Sequence, residues 1–480
     1  MDVLKHIDYL SFTSDGWKNI SQNCNYRDLS CHGILWVKGK MILVSFLLGI
    51  QPLAFKDAKR VSTWISDILD SYEIPLAKRG VMTADGAEEA AARDAHLEYW
   101  WCIAHWINLA VHDAIKHSDF IQEELDRVKK LVTAIRQSAH LQAELDSIAK
   151  SHVTLKQDVE TRWSSEYLML SSVLNNIVPL RKLFELHQDL RIAQAGLDLL
   201  QDIRAILAVA YDATTFMQHQ RKITAIEAWK VVWSCVSAWR KHVPVKTPAG
   251  EAFKEAIINS WKTRANTNFR KSEAAQLCFF LNPSIWGSKL VDGKLVVAAQ
   301  RFYEENEMDK IPGGVYSPTA DAFLRSLQQL AERATILYGS KEELEPPTQE
   351  QEPSQKTSQS ALFQSLNDFE SSACGAFDVA DPKAEIFYFI KNRTYERGGT
   401  LLDYYASKQS TFPSVVRMAT RYLCIPAASI ASESLWSLAG NASEDERALT
   451  SPEHLENQML IRRNHAEIAG ALKLLEEDKK

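Results

Sequence analysis

Two aspartates near the start of the chain each follow a short run of β-prone residues. Asp15 closes the run that begins at Leu10, and Asp85 closes the apolar run GVMTA. A carboxylate at the end of a core strand lies at the edge of a sheet, so two of them converge if their strands are neighbours. Carboxylates can hold two divalent ions, which activate water and stabilise the leaving oxygen in phosphodiester cleavage. The alternative for each residue alone is a cap on a turn or helix.

The segments around these aspartates alternate between strand and helix patterns. Residues 9–50 indicate strands, with a hairpin turn at Gly39 between two apolar runs. A helix is predicted over 61–76, a buried strand over 80–85 and a second helix over 87–110. Strand, helix, strand and helix in this order indicate an α/β unit.

The rest of the chain is predicted to be helical apart from one polar segment. Residues 118–340 have few glycines and carry apolar residues at three- and four-residue spacing, and 385–470 has a similar pattern. Residues 341–375 are rich in Glu, Gln, Ser and Pro, which predicts a solvated, disordered linker.

The composition argues against several classes of protein. The chain has 480 residues, 46% of them hydrophobic, which is enough for a large core in roughly two to four domains. No apolar run reaches the roughly 20 residues of a membrane span, so we expect no membrane partner. The seven cysteines form no C-x-x-C pair, which argues against a disulfide framework or a structural zinc module.

The charge is unevenly distributed along the chain. The net charge of −6 counts mildly against nucleic acid as a partner, but 221–271 carries eleven Lys and Arg against three Glu. Four cations in this stretch are the candidates for DNA phosphate contacts: Lys262, Arg264, Arg270 and Lys271. The alternative is an ordinary solvated helix face.

Five blocks of the sequence together extend over most of the chain. The blocks are TSDGW (13–17), TADGAEEA with WCIAHWINLAV (83–90 and 101–111), DVETRWSSEYLML (158–170), LCFFLNPS (277–284), and the segment 401–441, which is followed by Arg447-Ala448-Leu449 and Asn464. In this order the five blocks resemble those of hAT transposases.

The resemblance assigns the acids of an active site. Asp15 matches the first catalytic acid of the family, Asp85 the second and Glu433 the third. It implies a ribonuclease H-like catalytic core in which these three residues hold two Mg²⁺ or Mn²⁺ ions. The long gap between Asp85 and Glu433 agrees with the family's habit of inserting a helical domain before the last acid.

Other matched positions imply contacts with DNA or support for the acids. Trp163 matches an aromatic residue that stacks on a base flipped out of the helix, and Arg162 is a candidate phosphate contact. A core tryptophan is the alternative for Trp163. Cys102 and His105 share one face of a helix, and we expect them to pack or hydrogen-bond near Asp85 rather than bind zinc.

The sequence departs from the family pattern in three places. It lacks the ligands of the N-terminal zinc finger that is usual in the family. Asn282 replaces the Asp of a Leu-Asp-Pro block, and the Arg that usually follows the third acid is absent. We expect these departures to affect recognition of transposon ends and therefore activity.

The resulting fold prediction is an α/β chain: a ribonuclease H-like core interrupted by a large all-helical insertion, with a helical C-terminal dimerisation region. We expect the first part of the core at 1–150, the helical insertion at 151–340, a flexible linker at 341–384 and the C-terminal part of the core at 385–480. Self-association is expected through 401–465, where apolar residues exceed what one small subdomain can bury.

The leading functional prediction is an enzyme, a DNA transposase of the nucleus. It would cut DNA with metal ions, transfer strands and leave a hairpin on the flanking DNA, with DNA and a second copy of itself as partners. One alternative is a catalytically silent, host-captured dimer that binds DNA or chromatin. Another is an assembly module that acts only through the C-terminal region.

Overall fold

The computed structural model describes most of the chain. It covers residues 2–19, 24–52, 57–158, 163–217, 224–286, 302–308, 320–339, 382–391, 399–430, 432, 435 and 452–478. The predicted linker segment at 341–375 lies outside the described residues, and so do Arg162 and Glu433.

A small mixed sheet of six strands, counted over the described residues, forms the N-terminal part of the fold. The strands are β1 (Leu10–Thr13), β2 (Gly16–Asn19), β3 (Cys24–Val37), β4 (Lys40–Pro52), β5 (Arg79–Ala84) and β6 (Glu98–Trp101). β3 pairs antiparallel with β4 on one side and with β1 and β2 on the other. β5 is parallel to β1, and β6 is parallel to β5. The spatial order is therefore β4, β3, β1, β5, β6, with β2 continuing the edge of β1.

The hairpin predicted at Gly39 is confirmed. Val37 and Lys40 face each other as the last pair of β3 and β4. Lys38 and Gly39 between them have φ of 49° and 73°. Two successive residues with positive φ make the two-residue turn whose twist matches that of the strands, and Gly39 adopts it without a steric cost.

The prediction of one helix over 87–110 is wrong in the middle of this segment, where a strand separates two helices. A short helix, α2 (Glu89–Asp94), ends before His96, which has a positive φ of 57°. β6 follows, and the next helix begins only after it. β6 is made of Glu, Tyr and two Trp, and aromatic residues favour strands because they fit a pleated, half-buried surface. Trp100 is buried in the core, with its ring centroid 5.8 Å from that of Trp229.

The remaining described chain is mostly helical, as predicted for 118–340 and 385–470. The other helices are α1 (Ala58–Ser71), α3 (Ile103–Lys116), α4 (Asp119–Gln137), α5 (Ala139–Ala149), α6 (Trp163–Asn175), α7 (Ile177–Leu186), α8 (Gln194–Met217), α9 (Ala225–His242), α10 (Pro248–Lys271), α11 (Glu273–Phe280) and α12 (Pro283–Trp286), followed by Ala320–Gly339, Pro382–Lys391, Leu401–Lys408, Pro413–Leu423 and Pro452–Asp478. In the part of the chain that the structure describes, no helix is long and apolar enough to cross a membrane.

Three long helices, α8, α9 and α10, form what we call the helical body. Its centre contains buried tryptophans in edge-to-face contact. The ring centroids of Trp239 and Trp261 are 4.9 Å apart, and Trp106 of α3 lies 4.7 Å from Trp261. The indole N–H groups of Trp239 and Trp261 donate at 2.8 Å to the carbonyls of Ile206 and Val232. These contacts bury large aromatic area while satisfying the polar end of both rings.

The C-terminal helix, Pro452–Asp478, closes the fold by packing along β4. The side chain of Asn464 donates to the carbonyl of Leu47 at 2.7 Å and accepts from its N–H at 2.8 Å. Glu456 accepts from the N–H of Ile50 at 3.1 Å. These side chains satisfy backbone groups of a strand that pairs on one side only, so the edge is covered by the end of the same chain.

Candidate active site at the strand ends

Asp15 and Asp85 leave the sheet at equivalent positions of two neighbouring strands. β1 and β5 run parallel with Thr13 opposite Thr83, and each aspartate comes two residues after its threonine. The N–H of Ser14 donates to the carbonyl of Thr83 at 3.4 Å, so the pairing continues one step past the strands. Both aspartates are partly exposed. The structure therefore brings together the first two acids named from the sequence.

Local hydrogen bonds fix the backbone at both aspartates. Oδ1 of Asp15 accepts from the N–H of Gly16 at 2.9 Å. The carbonyl of Asp85 accepts from the N–H of Glu88 at 3.1 Å and from the hydroxyl of Tyr99 at 2.7 Å. The side chain of Asp15 thus does cap the turn that follows it, as the alternative interpretation expected. At Asp85 it is the backbone carbonyl that accepts the hydrogen bond of the turn.

Three charged residues that the sequence analysis did not single out lie beside the two aspartates: Arg27, Asp28 and Glu88. Arg27 forms an ion pair with Glu88 and donates to the hydroxyl of Ser14 at 3.4 Å. Burial lowers the pKa of Arg27, and the negative charges of Asp85, Asp15 and Asp28 oppose that shift. We call Asp15, Arg27, Asp28, Asp85, Glu88 and His105 the strand-end cluster.

Asp28 is the most buried acid of the strand-end cluster, with none of its surface exposed. It accepts from the N–H of Asp15 at 3.0 Å and from the hydroxyls of Ser30 at 3.1 Å and Ser432 at 2.8 Å. Burial raises the pKa of Asp28 to about 7, and the nearby Asp15 charge adds to the shift. Its hydrogen bonds hold the backbone of Asp15 in place.

A sequence signal for these residues does exist. Arg27 and Asp28 are adjacent charges inside a long strand that is otherwise largely apolar. Charged residues are rarely buried unless they are paired. Their occurrence within a predicted core strand is therefore a reason to expect a polar site there.

The C-terminal part of the chain reaches the strand ends. Besides the bond from Ser432 to Asp28, the hydroxyl of Thr83 donates to the carbonyl of Pro426 at 2.9 Å. The N–H of Ile103 donates to the carbonyl of Ala427 at 3.1 Å. Glu433 follows Ser432 in the sequence but lies outside the described residues. Ser432, which precedes Glu433, is thus hydrogen-bonded to Asp28, the acid that also accepts from the backbone of Asp15.

Cys102 and His105 lie where α3 leaves the sheet. Cys102 is buried at the start of α3, its N–H donates to the carbonyl of Ala84 at 2.8 Å, and its sulfur accepts from the hydroxyl of Ser429 at 3.4 Å. The hydrogen bond with Cys102 raises the pKa of His105 to about 9, and the charges of Asp85 and Asp15 contribute. His105 is therefore a cation beside both aspartates at neutral pH.

The described donors fit a hard divalent cation but do not by themselves complete a site for one. Within the described ranges, no group of three or more His, Cys, Asp or Glu is placed to hold a metal. Asp15 and Asp85 offer partly exposed carboxylate oxygens, which are the donors that Mg²⁺ and Mn²⁺ prefer. The third ligand named from the sequence, Glu433, is outside the described residues.

The placement of Trp163 disagrees with the base-stacking role expected from the sequence. Its side chain belongs to the main hydrophobic core and the residue is 2% exposed. Its backbone N–H faces Oδ1 of Asn108 at 3.4 Å. A ring enclosed on both faces cannot stack on a base, so the alternative, a core tryptophan, fits this conformation. Arg162 lies outside the described residues.

The four basic candidates of α10 are placed differently from one another. The phosphate contact predicted for Lys262 is wrong for this conformation. Lys262 is 3% exposed and paired with Glu307 at 3.1 Å, so its ammonium group cannot reach a phosphate. Nε of Arg264 donates to Asp113 at 2.9 Å. Arg270, which is partly exposed, lies 3.4 Å from Oδ1 of Asn266. Lys271 ends α10, and its side chain is not among those described.

The replacement of Asp by Asn at position 282 has a structural explanation. The amide Nδ2 of Asn282 donates to the carbonyl of Ile226 at 2.9 Å, which a carboxylate could not do. Its Oδ1 accepts from the N–H and hydroxyl of Ser284 at 3.1 Å and 2.6 Å. Asn282 thus joins α9 to the start of α12.

Comparison with known protein families found two matches. The family model described as the ZBED1 RNase-like helical domain matches residues 101–196. The model of the hAT family C-terminal dimerisation region matches residues 391–465. No curated protein sequence matches the chain.

The two matches meet at the strand-end cluster. The first contains Cys102 and His105, and the second contains Ser429 and Ser432. The second match supports self-association of the chain through its C-terminal region. Both matches agree with the resemblance found in the sequence blocks, and they support an hAT-family protein, transposase-like or derived from a transposase.

Proposed function

We propose that this protein is a DNA transposase of the hAT type that cleaves DNA strands at the strand-end cluster with Mg²⁺ or Mn²⁺. The observation that carries the proposal is the parallel register of β1 and β5, which places Asp15 and Asp85 side by side at one edge of the sheet. Glu433 is the proposed third ligand, and Ser432 beside it in the sequence bonds to Asp28.

We propose that the sheet is a ribonuclease H-like core. β1 with its continuation β2, then β3 and then β4 alternate in direction, and β5 and β6 then run parallel to β1. Only the parallel strands bring chain ends to the same edge, so β1 and β5 are the pair able to present two acids together. The described helices from α6 to Ala320–Gly339 would then belong to the insertion expected at 151–340, before the third acid.

The residues of the chain have distinct roles in this proposal. Bound metal ions would supply water activation and stabilisation of the leaving oxygen. Asp28 positions Asp15 through its backbone and ties the segment around Ser432 to β3. His105, a cation at neutral pH, would hydrogen-bond to a phosphate oxygen near the acids. Arg27, paired with Glu88, limits repulsion between the neighbouring carboxylates.

Strand transfer and hairpin formation on flanking DNA belong to the same proposal. They need two DNA ends held together, which agrees with self-association through the C-terminal region. Because the proposed substrate is chromosomal DNA, the proposed location is the nucleus. Partly exposed Arg264 and Arg270 remain candidates for phosphate contacts, the former after exchange of its partner Asp113.

One observation favours a second candidate function. The guanidinium of Arg27 carries a positive charge beside Asp15, Asp28 and Asp85, where it competes electrostatically with a metal ion. A protein that kept the scaffold and lost catalysis would tolerate such a charge. The second candidate is accordingly a catalytically silent, host-captured dimer that binds DNA or chromatin.

The two functions differ in metal-dependent nicking. We would incubate the full chain with supercoiled plasmid in Mn²⁺ and in Mg²⁺, and measure Mn²⁺ binding by calorimetry. We expect nicking by the natural protein and a loss of at least ~1,000-fold in Asp15→Asn and Asp85→Asn. Asp94→Asn, which changes an exposed aspartate at the end of α2, is the matched control and should nick normally.

The opposite results are equally clear. DNA binding without Mn²⁺ binding or nicking would replace the enzyme by the silent scaffold. Nicking that survives Asp85→Asn at the natural rate would move the active site away from the strand-end cluster.

A further inference from the structure

An open cleft lies between α3 and α10, beside the strand-end cluster. Its volume is about 530 Å³. Trp101 lines it together with residues of α3 and of one face of α10. The other lining groups that matter here are Asn259, Thr263, Thr267, Arg264 and Asp113. We call this the Trp101 cleft.

The Trp101 cleft begins next to Asp85. Trp101 is the last residue of β6 and pairs with Ala84, the residue before Asp85. Gly86, the residue after Asp85, lies against the indole: a Cβ added there would be 3.1 Å from Cζ2 of Trp101. The aromatic wall of the cleft is thus in contact with the turn that carries the second acid.

The wall on α10 is a row of uncharged polar side chains. Asn259, Thr263 and Thr267 are exposed and spaced four residues apart, so they lie along one helix face. The row extends over about 12 Å of helix. An amide and two hydroxyls both donate and accept hydrogen bonds, which suits ligands whose edges carry mixed donors and acceptors.

The charges of the Trp101 cleft argue against a site for phosphate alone. Arg264 donates to Asp113, and both residues line the cleft, so this acid and base offset each other. The lining also includes the imidazole of His117, whose Nδ1 lies 2.6 Å from the carbonyl of Asp113. What the cleft offers is an indole ring together with neutral polar side chains. Nucleobases have that combination of a π-face and hydrogen-bonding edges.

We propose that the Trp101 cleft binds unpaired bases of single-stranded DNA next to the cleavage site, with Trp101 as the stacking surface. This inference rests on the proposed function, because contact with the turn that carries Asp85 makes the strand under cleavage the ligand. A base–aromatic stack changes affinity by about tenfold. Trp101, partly exposed and lining an open cleft, can provide the stack that buried Trp163 cannot.

The test compares two single strands with the same phosphates. The full chain, without divalent metal, is titrated with a fluorescent thymidine oligonucleotide and with an abasic strand of equal length. We expect the base-bearing strand to bind about tenfold more tightly. Trp101→Leu should remove that preference and leave affinity for the abasic strand unchanged, while Trp101→Phe should keep part of it.

Two further variants guard against a change in folding. Trp36→Leu alters another partly exposed tryptophan, on β3, and should bind like the natural protein. Thr263→Met narrows the cleft from the exposed face of α10 and should also lower the preference for bases. Equal affinity of the natural protein for both strands, or a preference that survives in Trp101→Leu and Thr263→Met, would overturn the proposal.

The nicking assay separates this inference from the proposed function. A base preference that depends on Trp101, without metal-dependent nicking, would keep the cleft and reject the enzyme. Nicking without a base preference would reject the cleft and keep the enzyme. Absence of both would reject both.

Discussion

Buried charge is handled differently in the helical body and in the strand-end cluster. Asp202 in α8 is 2% exposed, and its carboxylate accepts from the N–H of Lys246 and from the N–H and hydroxyl of Thr247. Every one of these donors lies at the start of α10, where a negative charge is favourable. Lys262 is paired with Glu307 in the same region. Charge in the helical body joins secondary structure elements.

The strand-end cluster instead concentrates charges of one sign. The charges of Asp15, Asp28 and Asp85 lie close enough to shift the pKa of neighbouring groups. Asp15 raises the pKa of Asp28, and Asp15 and Asp85 raise that of His105. All three oppose the lowering of the pKa of Arg27 by burial. Arg27 and His105 offset only part of that negative charge. Such an arrangement costs stability, and proteins retain costly charge mainly where function needs it. The comparison predicts that substitutions in the helical body affect stability, whereas those in the strand-end cluster affect activity.

The largest effect on stability is expected from Trp163→Ala, although the sequence suggested a role in DNA handling. Removing a buried indole leaves a cavity, and we expect unfolding free energy to fall by about 4 kcal/mol. Chemical denaturation of the purified variant measures the change. Trp36→Ala, at a partly exposed position, is the control and should cost less. A stable Trp163→Ala protein with defective DNA cleavage would restore the base-stacking interpretation.

The outcome for Trp163 shows how far the sequence could predict the site. Local patterns were sufficient to predict that Asp15 and Asp85 follow strands and that a hairpin turns at Gly39, because strand ends and turns depend on neighbouring residues. Burial of Trp163 depends on helices that pack from elsewhere in the chain. A motif names a residue type at a position, but only packing determines whether its ring is accessible.

β6, and the position of Arg27 and Asp28 beside Asp15 and Asp85, could not be predicted from local patterns for a related reason. Arg27 and Asp28 lie within β3 and reach the cluster only because β3 pairs with β1 and β2. The bond from Ser432 to Asp28 joins residues 404 apart in the chain. β6 has four residues, too few for its period to be distinguished from that of the helices around it.

A second prediction concerns the charge that joins α8 to α10. Asp202→Ala removes the charged acceptor for two backbone N–H groups and one hydroxyl. We expect a loss of about 3 kcal/mol in unfolding free energy. Asp198→Ala, one turn earlier on α8 and bonded only to Gln194 among the hydrogen bonds described, should cost far less. Equal losses in both variants would contradict the special role of Asp202.

A third prediction uses pH to test a buried acid of the helical body. Burial raises the pKa of Glu227 from an ordinary 4.5 to about 7. The folded state therefore keeps a proton that the unfolded state releases, so stability falls as pH rises from about 4.5 to 7. Glu227→Gln removes that loss, about 2 kcal/mol after allowance for partial exposure.

The same substitution preserves the helix cap, which isolates the pH effect. Glu227 closes a capping box with Thr224, and Gln serves equally at that position. The Tm of Glu227→Gln should therefore change less between about pH 5 and pH 8 than that of the natural protein. Glu123→Gln, on the exposed side of α4, should leave the pH dependence as it is. An unchanged slope in Glu227→Gln would show that Glu227 ionises normally in the folded state.

The smallest expected change in unfolding free energy is that of Asp85→Asn, which tests the comparison within the strand-end cluster. Asn keeps the size of Asp85, and the backbone carbonyl still accepts from Glu88 and Tyr99. The variant loses attraction to Arg27 and His105 but also repulsion from Asp15 and Asp28, so the two changes largely cancel. In the absence of metal we expect the unfolding free energy to remain the same or to rise by about 1 kcal/mol at most. Denaturation in the presence of a chelator gives this value, with Asp202→Ala measured alongside. A loss as large as that of Asp202→Ala would mean that the Asp85 carboxylate stabilises the fold, and the distinction between the two regions would then fail.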